Sequence, residues 1–388
     1  MRSGKVEYIE GLRGLAAMQV VALHFVTAFA PIAADHAWAP LRVLWDGHTA
    51  VYVFFVISGA VLTPSLARPN PFLGKLAKRI VRLAVPVAAA AAFAFLLIAL
   101  LPDAHRAASA ISGSAWLAMD SSGAPTFAHL AREIGLDSLL LGYSDSTLLA
   151  PLAPALPPMQ DSLDAPFWSL HLELYGSLLI LVLVTLRARS TWLHRAAAAA
   201  AALAFGTHPM FLFVLGHLAA PLLGRRPAFR FGAMLLVLGL AMSATKDWGL
   251  LETIRVGFAR TELASAPNLY QFQSQLAAVA LTLGVLTCPL VWPVLESAPF
   301  RRLGRLSFSV YLVHFPILFT LVCAAFASLS GVLPYAALVL AALALFLALT
   351  LIAASAFERW IDRPAIALSR RLPRASRPAQ RRSHRKEA

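Results

Sequence analysis

Charge is scarce in this chain, and acid is scarcest. Of 388 residues only 13% are Asp, Glu, Lys or Arg, and 19 acidic residues face 33 basic ones. A soluble globular domain carries roughly 25% charged residues, so the body of this protein does not face water. Cysteine is nearly absent. Cys288 and Cys323 lie far apart in apolar segments, which excludes a disulfide framework or a cysteine metal site and leaves two small core residues. A cleavable signal peptide is not expected either. The first apolar stretch is long, follows acidic as well as basic residues, and shows no clear cleavage site. The net charge of +14 invites a nucleic-acid reading, but no aromatic or sequence motif supports one. No internal repeat is visible.

What fills the chain is hydrocarbon. Hydrophobic residues make up 59% of it, and the mean hydropathy is +0.71. Runs long enough to cross a bilayer fall near 10–32, 47–66, 83–102, 167–186, 195–207, 209–223, 231–245, 273–295, 306–326 and 335–357. The expected fold is an all-α integral membrane protein, a polytopic bundle of about ten transmembrane helices. The runs 195–207 and 209–223 are short and meet at Thr207-His208-Pro209, as a tight hairpin or one broken helix. With the N-terminus placed in the cytoplasm, 27 Lys and Arg fall on that side and 6 on the other. The positive-inside rule therefore predicts cytoplasmic termini and outward-facing segments at 103–166 and 246–272. The basic C-terminal tail reads as a topology determinant that also touches anionic lipid.

Against this apolar background the ionisable residues inside helices stand out, because each is costly at membrane depth. Arg13 and His24 share the first helix. Eleven residues at about 100° each is close to three turns, so both side chains lie on one face about 16 Å apart along the axis. A snorkelling arginine and a packed core histidine would explain either alone; the pair in register favours a functional stripe. In the second run, Ser58-Gly59 admits close approach of another backbone. Arg79 and Arg82 are three residues apart at the start of the third run, with Lys75 and Lys78 beside them. They read equally as topology charges and as a socket for a phosphate-bearing cofactor, since guanidinium forks grip phosphate bidentately.

In the fourth run Ser169, Glu173, Gly176 and Ser177 form a small, polar stripe around one carboxylate, which should be protonated or meet a histidine or arginine. His171 and Tyr175 lie on another face and read as core or interface residues. His314, with Ser307 and Tyr311 along the same side of the ninth run, reads as a structural histidine held by a hydrogen bond. Glu358 and Arg363 form an ion-pair region at the end of the tenth, where Pro364 should end the helix.

Together these stretches resemble the membrane acyltransferase-3 family, bacterial-type integral membrane O-acyltransferases. Arg13-x10-His24, Phe54–Gly59 (FFVISG), Arg79-x2-Arg82 with Pro86, Trp168–Glu173 (WSLHLE), Leu303–Ile317 and Phe357–Pro364 are similar to the family's motifs, in the right order. After Glu173 this chain has Leu174–Ser177 (LYGS) where many relatives carry a second acid and an aromatic pair. The expected division is a transmembrane acyltransferase domain at 1–357 and a basic cytoplasmic tail at 358–388, without a fused extracytoplasmic hydrolase-like domain.

The resemblance implies an acyl-CoA donor, commonly acetyl-CoA, as a substrate with no permanently bound cofactor and no metal. It implies a hydroxyl acceptor on a cell-surface glycan or lipid-linked saccharide, membrane lipids and glycan-assembly proteins as partners, and the bacterial inner membrane as location. Arg13, Arg79 and Arg82 would then contact the donor's phosphates. His24, neutral in an apolar interior, would act as general base, with Glu173 as the competing base or as the group that orients His24. Acylation of a small secondary metabolite, a transporter or flippase of glycan precursors, and a scaffold subunit are the rival readings.

Overall fold

Apolar helices in lipid gain no hydrophobic drive from touching one another; they pack where small residues let backbones approach. That pattern organises this bundle, seen here in a computed structural model. It describes residues 6–119, 124–224, 228–245 and 269–372, and between 246 and 268 only 248, 249, 251, 253, 254 and 256.

The principal helices are α1 (Glu7–Phe29), α2 (Gly47–Leu66), α3 (Phe72–Leu100), α4 (Leu170–Arg189), α5 (Thr191–Ala204), α6 (Met210–Ala219), α7 (Phe229–Ala244), α8 (Leu269–Thr287), α9 (Ala298–Ile317) and α10 (Tyr335–Phe357). No strand occurs among the described residues. Helix α1 lies along α9, and a methyl group at Gly14 would sit 2.6 Å from the Gly304 nitrogen. Helix α2 crosses α6 at a second glycine pair, where a methyl at Gly216 would approach Gly59 Cα to 3.0 Å. The close approach expected at Gly59 is met there. At the other end of α2, Asp46 caps the helix by accepting from the Thr49 N–H at 3.1 Å, and it accepts from Ser243 Oγ of α7 at 2.6 Å.

All ten expected apolar runs are helical, but they are not ten full spans. Among the described residues six helices are long and apolar enough to cross a membrane. A seventh results if Gln271–Thr287 and Pro289–Leu295 count as one span bent by 82°. Pro289 has no N–H to continue the ladder, which accounts for the break. Helices α5, α6 and α7, at 14, 10 and 16 residues, are shorter than the ~20 residues a bilayer needs. The turn at Thr207–Pro209 separates α5 from α6, and Gln275 of α8 donates to the Thr207 carbonyl at 2.7 Å.

Pro364 does not end α10. The chain runs helically from Tyr335 to Arg371, through a wider π turn at Glu358–Asp362 that precedes the proline. A π turn drops one bond register and absorbs the missing proline donor. Helix α9 likewise passes Pro316 into a π turn at Leu318–Val322 and a short helix, Cys323–Leu329.

The basic ends of α3, α4, α9 and the α10 extension meet the start of α1 at one end of the bundle. Arg301 donates to Glu7 at 2.6 Å, and Lys75 and Arg187 line one cavity. The tail beyond Leu372 and most of 246–272 lie outside the described residues. The segment 103–166 folds at the other end as short helical pieces, including Ala104–Ser112, Ala115–Ala118 and Phe127–Arg132. Ser114 Oγ ties it to α1 through the Thr27 carbonyl at 2.7 Å.

Candidate active site

The basic end surrounds a cavity of about 560 Å³. Helix α1 contributes Glu10 and Arg13, α2 Phe54 and Ser58, α3 Arg79 and Arg82, α4 Ser169 and Glu173, and α9 Arg305, Ser307 and Tyr311. The α10 extension closes it with Glu358, Asp362, Arg363 and Arg370. Three of the expected donor contacts, Arg13, Arg79 and Arg82, therefore share one chamber with Glu173. Arg305 and Arg370, which in the sequence read only as topology charges, are not among the expected site residues. Because Pro364 was expected to stop the helix, the extension that brings Arg363 and Arg370 inward was not foreseen.

Inside this chamber the charges differ in their engagement. Arg79 pairs with Glu173 Oε1 through Nη2 and donates from Nε to Ser177 Oγ at 2.6 Å. Ser58 Oγ adds a third donor to Glu173 at 2.9 Å. The carboxylate thus meets the arginine expected as one of its possible partners, and Ser58 has a polar task beside the Gly59 crossing. Arg363 is bonded to Glu358 at 2.6 Å, so that ion pair lies on the cavity wall. Arg13 reaches Glu10 only at 4.0 Å. Arg82 makes no hydrogen bond or ion pair with the described residues, although Asp362 is near enough to act on it electrostatically. Arginines weakly held by protein are the ones available to an arriving anion.

The cavity floor is polar. Tyr311 and Ser169 share a hydrogen bond of 2.7 Å, and Tyr311 donates to the Pro166 carbonyl at 2.8 Å. Beneath the tyrosine lies His314, with ring centroids 6.1 Å apart, and His314 Nε2 lies 2.9 Å from His24 Nδ1. His24 does not itself line the chamber. Trp116, from the segment at the opposite end, lies nearly parallel to its ring at 5.5 Å, and Phe315 meets it edge-on at 5.4 Å. His314 is fully buried, whereas His24 stays partly exposed.

Two sequence readings change here. The sequence expects a structural histidine at His314; it is hydrogen-bonded to the Val310 and Tyr311 carbonyls, and its other ring nitrogen meets His24. The signal lay in the spacing of Ser307, Tyr311 and His314, which puts cavity wall, floor and histidine on one side of α9. Glu173, expected as the competing base or as the group that orients His24, is engaged with Arg79, Ser58 and, through Ser177, its own turn, and it has no bond to His24 among the described residues. His171 and Tyr175 fall outside the chamber: His171 is buried against Gly142, and Tyr175 donates to the Leu140 carbonyl at 2.9 Å.

A family model described as an acyltransferase domain, that of the acyltransferase-3 family, matches residues 6–355. The chain belongs to the acyltransferase-3 family. No curated protein and no solved structure matches it. The matched span contains all of Arg13, His24, Arg79, Arg82, Glu173, Tyr311 and His314. This acyltransferase is a multi-pass membrane enzyme, with its ionisable residues gathered between one end of the bundle and its interior.

Proposed function

We propose that this acyltransferase moves an acyl group, commonly acetyl, from acyl-CoA to a hydroxyl of a cell-surface glycan or lipid-linked saccharide, with the donor entering the basic cavity. The observation that carries this reading is the cavity itself. It sets Arg13, Arg82, Arg305 and Arg370 around a space whose floor, Tyr311, adjoins the His314–His24 pair. The nucleotide end of CoA bears several phosphates, for which arginine is the matched partner. Arg79, already committed to Glu173, shapes the wall and holds the local charge balance, with a supporting part in phosphate binding.

The chemistry assigned to the pair is acyl transfer by general base catalysis. A ring nitrogen of His24 takes the proton of the acceptor hydroxyl as its oxygen attacks the thioester carbonyl. The C–S bond breaks, the CoA sulfur leaves with the electron pair, and His24 returns the proton to it. Donor supply requires the basic end to face the cytoplasm of a bacterial inner membrane, which the 27 to 6 distribution of Lys and Arg supports. Purified protein supplied with radiolabelled acetyl-CoA and glycan-bearing membranes should incorporate label into saccharide. Incorporation absent from every saccharide fraction, with acetyl-CoA unconsumed, would refute the assignment.

A further inference from the structure

Carbonyl oxygens accept hydrogen bonds and never donate them, and this fact fixes where two protons sit. His314 Nδ1 lies 3.0 Å from the Val310 carbonyl and 2.9 Å from the Tyr311 carbonyl. It must therefore carry a hydrogen. The His314 ring has no exposure, and its hydrogen-bond partners are two carbonyls and another histidine, with no carboxylate among them. A buried imidazole in those surroundings is neutral, so its only N–H is at Nδ1 and its Nε2 presents a lone pair. That lone pair lies 2.9 Å from His24 Nδ1, which must donate to it.

We propose that His314 is a positioning residue which locks His24 in the tautomer protonated at Nδ1, leaving Nε2 as the single basic nitrogen. The assignment rests on the reading of His24 as the base. A ring nitrogen's proton is set by the bond its partner nitrogen makes, so this carbonyl–histidine–histidine relay plays the orienting part that a carboxylate often plays. Neither Glu173 nor any other described carboxylate bonds to His24. Trp116 and Phe315 hold the ring plane while His314 holds its rotation and tautomer. When Nε2 takes the acceptor proton, His24 becomes an imidazolium whose Nδ1–H still donates to His314. When Nε2 gives that proton to the CoA sulfur, the same neutral tautomer is restored.

Two substitutions separate positioning from packing. In His314→Gln the amide oxygen accepts from His24 Nδ1; in His314→Leu a side chain of similar bulk accepts nothing. With radiolabelled acetyl-CoA and glycan-bearing membranes, His314→Leu should lower kcat about 100-fold, within the range assigned to general base catalysis. His314→Gln should stay within about tenfold of the parent, and KM for acetyl-CoA should be unchanged in both. Equal losses in the two variants, or parental kcat in His314→Leu, would overturn the assignment. A second readout needs no turnover: nitrogen-15 spectra of ring-labelled histidine, with the full chain in lipid nanodiscs, should show His24 protonated at Nδ1 in the parent. Protonation at Nε2 there would refute the tautomer even if His314→Leu fails to fold. If His24→Ala kept transferring acetyl groups, the base reading would fall while the nitrogen-15 result still decided the tautomer.

Discussion

The two halves of the site keep polar groups inside an apolar bundle by opposite means. At the basic end, six arginines and four acidic residues line one cavity, some paired and some weakly held. One helical turn deeper, two histidines are bonded to each other and to backbone carbonyls, without a charged group among the partners. Ions retain solvation where a cavity exists, and full charge is kept there; in the dry interior the affordable polar group is a neutral one with satisfied donors. The difference assigns the tasks: charge for holding a polyanion, a neutral imidazole for taking a proton.

If that division is right, the largest loss follows from the neutral half. His24→Ala should lower the rate of transfer by roughly 10²–10⁴-fold with acyl-CoA affinity unchanged. His24→Gln should be nearly as inactive, because an amide does not take the proton at neutral pH. Rate measurements alongside direct binding of acyl-CoA would check both. Loss of binding in His24→Ala would merge the two halves and break the comparison.

The charged half predicts the reverse pattern. Arg82→Ala should weaken acyl-CoA by roughly ten- to a hundred-fold, about 1.5–3 kcal/mol for a lost charge-assisted contact, and leave kcat near the parent value. Calorimetric titration with acyl-CoA would measure it. Arg79→Ala should behave differently from its neighbour, because it strands Glu173, whose side chain is only 17% exposed. The stability lost in Arg79→Ala should be partly restored by adding Glu173→Gln, with a coupling of about 1–3 kcal/mol in a double-mutant cycle of thermal unfolding. Additive losses would show that the pair is solvated and independent.

How much of this was legible in the sequence depended on the range of the interaction. Period and composition carried the helices, and the face shared by Arg13 and His24 on α1 follows from helical geometry alone. The meeting of Arg13, Arg79 and Arg82 follows from where each lies along its helix, toward the basic end. Glu173 does not share that position, since it lies in the first turn of α4 whereas Arg187 and Arg189 lie in the last; the packing of α4 against α3 is what brings it to Arg79. The His24–His314 bond was not legible, because 290 residues separate the partners and only packing of α1 on α9 at Gly14 and Gly304 brings them together. Pro364 misled for a local reason: a π turn upstream removes the clash that a regular helix would suffer. The count of about ten full spans is not confirmed among the described residues, since hydropathy windows do not register where a short helix turns.

The segment 103–166 offers a third test of the rule that dry groups stay neutral, with the smallest expected effect because it leaves transfer untouched. Asp164 has no exposure, and neither carboxylate oxygen has a hydrogen-bond partner among the described residues. Burial, with the nearby Glu133 carboxyl adding to it, pushes Asp164 well above the usual carboxylate range. Glu133 is itself raised by burial, although Ser138 Oγ at 2.6 Å, Tyr143 OH at 2.5 Å and the Leu163 N–H at 3.2 Å all favour its ionised form. A carboxyl raised in the folded state holds its proton at a pH where the unfolded chain has lost it. Its contribution to stability is therefore complete in acid, below the ordinary carboxylate pKa, and is lost as pH rises toward the folded value, with a limiting slope of about 1.4 kcal/mol per pH unit. Asp164→Asn keeps the shape and cannot ionise. Thermal unfolding should find the variant close to the parent near pH 4 and increasingly more stable than it as pH rises to 8, with acyl transfer unchanged throughout. A variant less stable than the parent at pH 8 would mean that Asp164 is ionised and held by a partner, and that charge is tolerated in the dry half after all.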